Sequence, residues 1–178
     1  MLDAQQTVLA IVDVQEKLAR VMPDRPALED ALVRLIRGAA VLELPVLWAE
    51  QNPDGLGPTV PAVAEVLSGE PLVKHSFSCW GAAAFREALA ATGRRQVLLA
   101  GIEAHICIWQ TTADLRAAGY EVEVAADATA SRAAGNKEVA LGRIRAAGGG
   151  VTSVETALFE LLRTAEGPAF KEILRIVK

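Results

Sequence analysis

Short apolar runs alternate with longer stretches of helical periodicity along this chain. TVLAIVD (Thr7–Asp13) is a near-continuous Val/Ile/Leu run, the pattern of a strand buried on both faces. RPALEDALVRLIRGAAVLEL spaces Leu28, Leu32, Leu35 and Ile36 along one helical face. Pro26 suits the helix start and Pro45 stops it. PVLWAE reads as a second strand, and QNPDGLGPTVP, rich in Pro and Gly, as loop. A brief third strand is predicted over Pro71–Lys74, followed by a helix in WGAAAFREALAATG that Gly93 closes. QVLLAG is the fourth strand, and a helix carrying Cys107 then runs to about Ala118 before Gly119. YEVEVAAD is the fifth strand and NKEVALGRIRAAG a helix with Asn136 as N-cap. GGVTS gives a weak sixth strand, and VETALFELLRTA another helix. The tail PAFKEILRIVK has the amphipathic character of a packing or interface helix.

This alternation predicts an α/β fold: a six-stranded parallel sheet between two helical layers, a three-layer Rossmann-like sandwich of order 3-2-1-4-5-6. No repeat, low-complexity tract or interdomain linker interrupts residues 1–178, so one domain is expected. Apolar residues make up 52% and charged residues 22%, ordinary globular values. The net charge is −4 with no basic stripe, which points away from nucleic acid. No apolar run is long enough to span a bilayer, and the N-terminus lacks a basic region and cleavage site. Cys79 and Cys107 are the only cysteines, so reduced thiols and a cytoplasmic location are expected.

Chemistry in parallel sheets collects at the carboxyl ends of the strands. Asp13 ends the first strand, Lys74 the third, and the loop after the fourth delivers Cys107. All three fall on one rim. Cys107 sits where its helix opens, and the dipole there favours a thiolate, so a lowered thiol pKa is expected. A carboxylate takes a thiol proton and returns it to a leaving amine, while an ammonium steadies developing negative charge. Each residue alone has a plainer reading: a buried structural thiol, a helix-capping Asp, a solvated Lys. Their conjunction on one rim is what singles them out. His105 lies two residues from Cys107, a spacing that does not place both on one helical face. His75, next to Lys74, points to the other side of the strand. Gln15 either orients the site or caps a turn. Phe77, Trp80 and Trp109 either line an apolar pocket or pack the core, and Cys79 reads as a spectator thiol.

Three segments carry a resemblance: AIVDVQ with Asp13 and Gln15, LVKHSF with Lys74, and LAGIEAHICIWQTTADLRAAGYEVEVAADA around Cys107. Over nearly its whole length the chain resembles the isochorismatase-like cysteine hydrolases, which include nicotinamidases, N-carbamoylsarcosine amidohydrolases and isochorismatases. AEQNPDGLGPT and FKEILRIVK look like the isochorismatase-domain branch. The resemblance implies an Asp13–Lys74–Cys107 triad and a cis peptide between Ile102 and Glu103. It also implies an oxyanion hole from the backbone N–H groups of Glu103 and Cys107, with Gln15, Phe77, Trp80 and Trp109 as candidate substrate contacts. The implied reaction is hydrolysis of a small amide-type C–N bond through a thioester. Nicotinamidases bind a metal through an Asp and two His after the second strand. LWAEQNPDGLGPT holds no His, so no metal, no cofactor and a substrate other than nicotinamide are expected. Some isochorismatases lack the cysteine, so vinyl-ether hydrolysis is the alternative enzyme reading; a non-catalytic binding relative is the other. The family habit and the apolar tail suggest a homo-oligomer acting on a small-molecule substrate.

Overall fold

The computed structural model describes residues 1–178. Six strands form one parallel sheet: β1 (Thr7–Val12), β2 (Val46–Gln51), β3 (Leu72–Lys74), β4 (Gln96–Ile102), β5 (Glu121–Ala130) and β6 (Gly150–Thr152). Their order is β3-β2-β1-β4-β5-β6, as the alternating pattern predicts. The helices are α1 (Glu16–Ala19), α2 (Arg25–Val41), α3 (Pro53–Leu56), α4 (Pro61–Ala64), α5 (Ala83–Ala91), α6 (Trp109–Ala117), α7 (Ala134–Ala146), α8 (Val154–Leu162) and α9 (Gly167–Val177). None is long and apolar enough to cross a membrane.

The pleat sorts β1 onto two cores. Leu9 and Ile11 join Leu28, Leu32, Leu35 and Ile36 of α2 and Leu158 of α8 on one face. Val8, Ala10 and Val12 join Phe85 and Leu89 of α5, Leu115 of α6 and Ile144 of α7 on the other. All six β1 residues are buried, which accounts for the unbroken apolar run. In β4, Leu98, Ala100 and Ile102 face the first core, and Val97 and Leu99 the second.

Several elements differ from the sequence pattern. The stretch after β2 is not plain loop: Pro53 and Pro61 open two short helices, α3 and α4, because proline suits the first helical turn. β5 runs on to Ala130, and its pairing with β4 shifts register between Leu99 and Gly101. α7 begins at Ala134, ahead of Asn136, whose amide lies instead against His105 Nε2 at 3.3 Å. The tail helix α9 is a packing helix of the protomer: Ile173 is fully buried in the first core, and Phe170, Ile176 and Val177 pack against it.

Candidate active site

The rim at the carboxyl ends of β1 to β4 gathers the polar side chains. β1 ends in Asp13, which takes a left-handed backbone with φ of 55° while its N–H still donates to Ala49 O at 3.0 Å. Its side chain has no exposed surface. β3 ends in Lys74, 1% exposed, whose ammonium donates to Asp13 Oδ2 at 2.7 Å. It also reaches Gln51 Oε1 at 2.8 Å, Phe77 O at 3.1 Å and Ser76 O at 3.2 Å. Three ammonium protons are thus divided among four oxygens, and the charge sits in a closed shell of acceptors. A buried ion pair persists when such extra hydrogen bonds offset its desolvation.

Gln51 ends β2 and pairs in register with Lys74. It is fixed by Gln15, whose Oε1 accepts from Gln51 N at 2.8 Å and whose Nε2 donates to Gln51 O at 3.0 Å and Gly57 O at 2.6 Å. Gln15 therefore uses both ends of its amide to bind the α3 loop to the sheet rim.

β4 reaches the same rim through Gly101, where φ is 127°. A Cβ there would stand 2.1 Å from Val12 O, so only glycine lets β4 lie this close to β1. The Ile102–Glu103 peptide that follows is cis. The chain then makes a single π turn, Ala104–Ile108, before α6 begins. Cys107 lies in that turn, 6% exposed. Glu103 O accepts from Ile106 N at 3.1 Å and Ile108 N at 3.2 Å.

The thiol of Cys107 and the carboxylate of Asp13 are neighbours and perturb each other. Burial pushes the Asp13 carboxyl above the ordinary carboxylate range, opposed by the attraction of Lys74. Burial also pushes the Cys107 thiol well up, the negative charge of Asp13 adds to this, and Lys74 only partly opposes it. The lowered thiol pKa expected from the helix start is therefore not what the site provides. Desolvation and a facing carboxylate outweigh the pull of a turn's dipole. Burial thus favours the protonated thiol, and it faces the Asp13 carboxyl, whose Oδ1 accepts no conventional hydrogen bond.

Asp13, Cys107, Gln51 and Glu103 share a cavity of about 90 Å³ with Leu18, Leu56, Phe77 and Ile106. Of the four side chains expected to touch substrate, Phe77 alone lines it, with 56% of its surface exposed. Gln15 is consumed in bracing Gln51. Trp80 packs edge-on against Tyr120, with ring centroids 5.7 Å apart at 65°, because its turn belongs to the second core. Trp109 lies under the Arg143 guanidinium at 4.4 Å. Cys79 is fully buried, its thiol pushed up to about 12 by burial. His105 turns from Cys107 toward Ser131 Oγ at 2.9 Å, and His75 is exposed. The Glu103 carboxylate lies 3.5 Å from Arg132 Nε. No group of three or more His, Cys, Asp or Glu side chains comes together in a way that could hold a metal ion.

Sequence reasoning missed Leu18, Gln51, Leu56 and Ile106. Gln51 was reachable by the same strand-end rule that marked Asp13 and Lys74. Leu18 and Leu56 stand on α1 and α3, helices of four residues each with too little length to show a period.

The isochorismatase domain family matches residues 7–156. Isochorismatase domain-containing protein 2 of Macaca fascicularis is 40% identical over 174 residues, covering 97% of this chain and 83% of the relative. Among solved structures, the MAR1 ribonuclease of Caenorhabditis elegans superposes with a TM-score of 0.92 at 32% identity, over 99% of this chain and 91% of that one. YcaC of Pseudomonas aeruginosa, with hexane-2,5-diol and covalent acrylamide, also gives 0.92, at 25% identity over 98% and 90%. With the domain match spanning most of the chain and the strand order shared, this protein belongs to the isochorismatase family.

Proposed function

We propose that the chain is a metal-independent cysteine hydrolase that cleaves a small amide-type C–N bond, with Cys107 as nucleophile, Asp13 as proton carrier and Lys74 as the fixed positive charge. The observation that carries this reading is the buried ion pair of Lys74 with Asp13 Oδ2, which leaves Asp13 Oδ1 open beside a thiol that borders a cavity. A buried thiol with a raised pKa attacks well only if its proton departs as the bond forms, and an adjacent carboxylate meets that need.

In the first half-reaction Asp13 takes the thiol proton as Cys107 Sγ bonds to the substrate carbonyl carbon. The carbonyl oxygen becomes an oxyanion, which we assign to the backbone N–H groups of Glu103 and Cys107. The C–N bond then breaks, Asp13 returns its proton to the nitrogen, and ammonia or an amine leaves a thioester on Cys107. In the second half Asp13 takes a proton from water, the hydroxide adds to the thioester, and the carboxylic acid departs as Cys107 regains its proton. Lys74 keeps Asp13 able to ionise throughout.

The covalent acrylamide in Pseudomonas YcaC is compatible with a nucleophile on this fold, since acrylamide is an acceptor for thiols, and C–N cleavage is left to the assay. The ribonuclease activity named for the C. elegans neighbour is not carried over, because RNA binding draws on a basic surface and this chain has a net charge of −4. Ammonia release from small amides, paired with intact mass spectrometry, tests the proposal. A Cys107 acyl adduct is expected, and Asp13→Asn and Cys107→Ala should each lower turnover by about 100-fold or more. Full amide hydrolysis by Cys107→Ala would remove the thioester route, and turnover of a vinyl ether with none of any amide would favour ether hydrolysis.

A further inference from the structure

The cavity beside Cys107 says something about the substrate that the family does not. Four of its eight lining residues are Leu18, Leu56, Phe77 and Ile106, and no Lys, Arg or His lines it. The one buried ammonium at the rim, Lys74, has its protons divided among Asp13, Gln51 and two backbone oxygens and stands outside the lining. A carboxylate on the substrate would therefore meet aliphatic and aromatic walls and the negative charge of Asp13, with no cation to receive it. Stripping water from an ion without a partner is among the most costly events in a protein interior. The available space is also small. About 90 Å³ lies well below the roughly 300–1,000 Å³ of pockets that enclose drug-sized ligands.

Resting on the amide-hydrolase reading above, we infer that the site selects uncharged carboxamides with a short aliphatic acyl chain. The carboxamide lies at Cys107 and Asp13 and the chain packs on Leu18, Leu56, Phe77 and Ile106. Substrates that bear an acyl-side carboxylate or a ring are turned away. Gln51 and Glu103, the remaining polar members of the lining, leave the acyl group no counter-charge.

Three amides of matched chain length separate charge from size: butyramide, succinamate and 4-phenylbutyramide. Ammonia release should give butyramide a kcat/KM at least tenfold above each of the others. Equal or faster turnover of succinamate or 4-phenylbutyramide would overturn the inference. Leu56→Arg, a change on the short, partly exposed helix α3, supplies the missing cation and should move the succinamate-to-butyramide ratio at least tenfold toward succinamate. An unchanged ratio would mean that the acyl chain does not lie on this wall, and would also overturn the inference. If no amide is hydrolysed, the amide-hydrolase reading fails by itself, and the same three compounds are compared as protectants of Cys107 against iodoacetamide. Protection by butyramide ahead of succinamate then supports the neutral, aliphatic site. Absent protection, or succinamate first, refutes it.

Discussion

Lys74→Met removes the only cation paired with Asp13 and nearly preserves side-chain volume, so its effect isolates the charge. Asp13 has no exposed surface, and without Lys74 its Oδ2 loses its charged donor. Removing one partner of a buried pair costs about 3–5 kcal/mol because the other is left uncompensated. Asp13 can escape that cost by holding a proton. Its carboxyl is already raised by burial, and Lys74 is what opposes the rise, so the variant raises it further. The folded variant then holds a proton that the unfolded chain has released above the ordinary value of 3.8. Stability must accordingly fall as pH rises, by up to about 1.4 kcal/mol per pH unit while Asp13 stays protonated in the fold. Urea unfolding of both proteins at about pH 5 and about pH 8 measures it. The deficit relative to the parent should be larger at the higher pH, and Asp13→Asn added to Lys74→Met should remove most of the pH dependence. A loss below about 1 kcal/mol, or a deficit equal at both pH values, would show that the pair does not hold Asp13 ionised.

The two thiols should differ sharply in reactivity. Iodoacetamide is expected to add one group, at Cys107, leaving fully buried Cys79 unmodified until the chain unfolds. Because the Cys107 thiol is raised by burial and by Asp13, its alkylation rate should climb continuously over about pH 6 to 9. A plateau near neutrality would mean a preformed thiolate. Gly101→Ala drives a Cβ to within 2.1 Å of Val12 O and should cost about 3 kcal/mol in urea unfolding, with hydrolysis falling alongside as the β4 rim moves. A cost below about 1 kcal/mol would show that the rim yields easily.

The parts of this protein that could be read from its sequence share a physical origin. A strand covered on both faces has to be apolar throughout, so Thr7–Val12 and Gln96–Ile102 announce themselves, and the parallel order follows from strands alternating with helices. Once the sheet is parallel, strand ends fall on one rim, and that alone puts Asp13 and Lys74 side by side, as their 2.7 Å contact bears out. The environment of the thiol could not be read in this way. Whether Cys107 is favoured as thiolate or thiol depends on how much water reaches it and what charge faces it, and both are properties of the folded packing. The sequence leaves Trp80 and Trp109 open between pocket and core for a related reason. Their nearness in sequence to Lys74 and Cys107 says nothing of the direction in which a turn throws a side chain, and both found aromatic or cationic partners elsewhere. Asn136 is a favoured N-cap type, yet Ala133 takes that place and the asparagine amide meets His105.

Asp13 and Lys74 are 61 residues apart, and the sulfur beside them arrives later still, in the turn after the fourth strand. During synthesis the growing polypeptide therefore displays an ordinary, unassisted thiol until long-range strand docking is finished, a slow class of event. On the proposed reading, the thiol gains its carboxylate and ammonium only once the central sheet has closed.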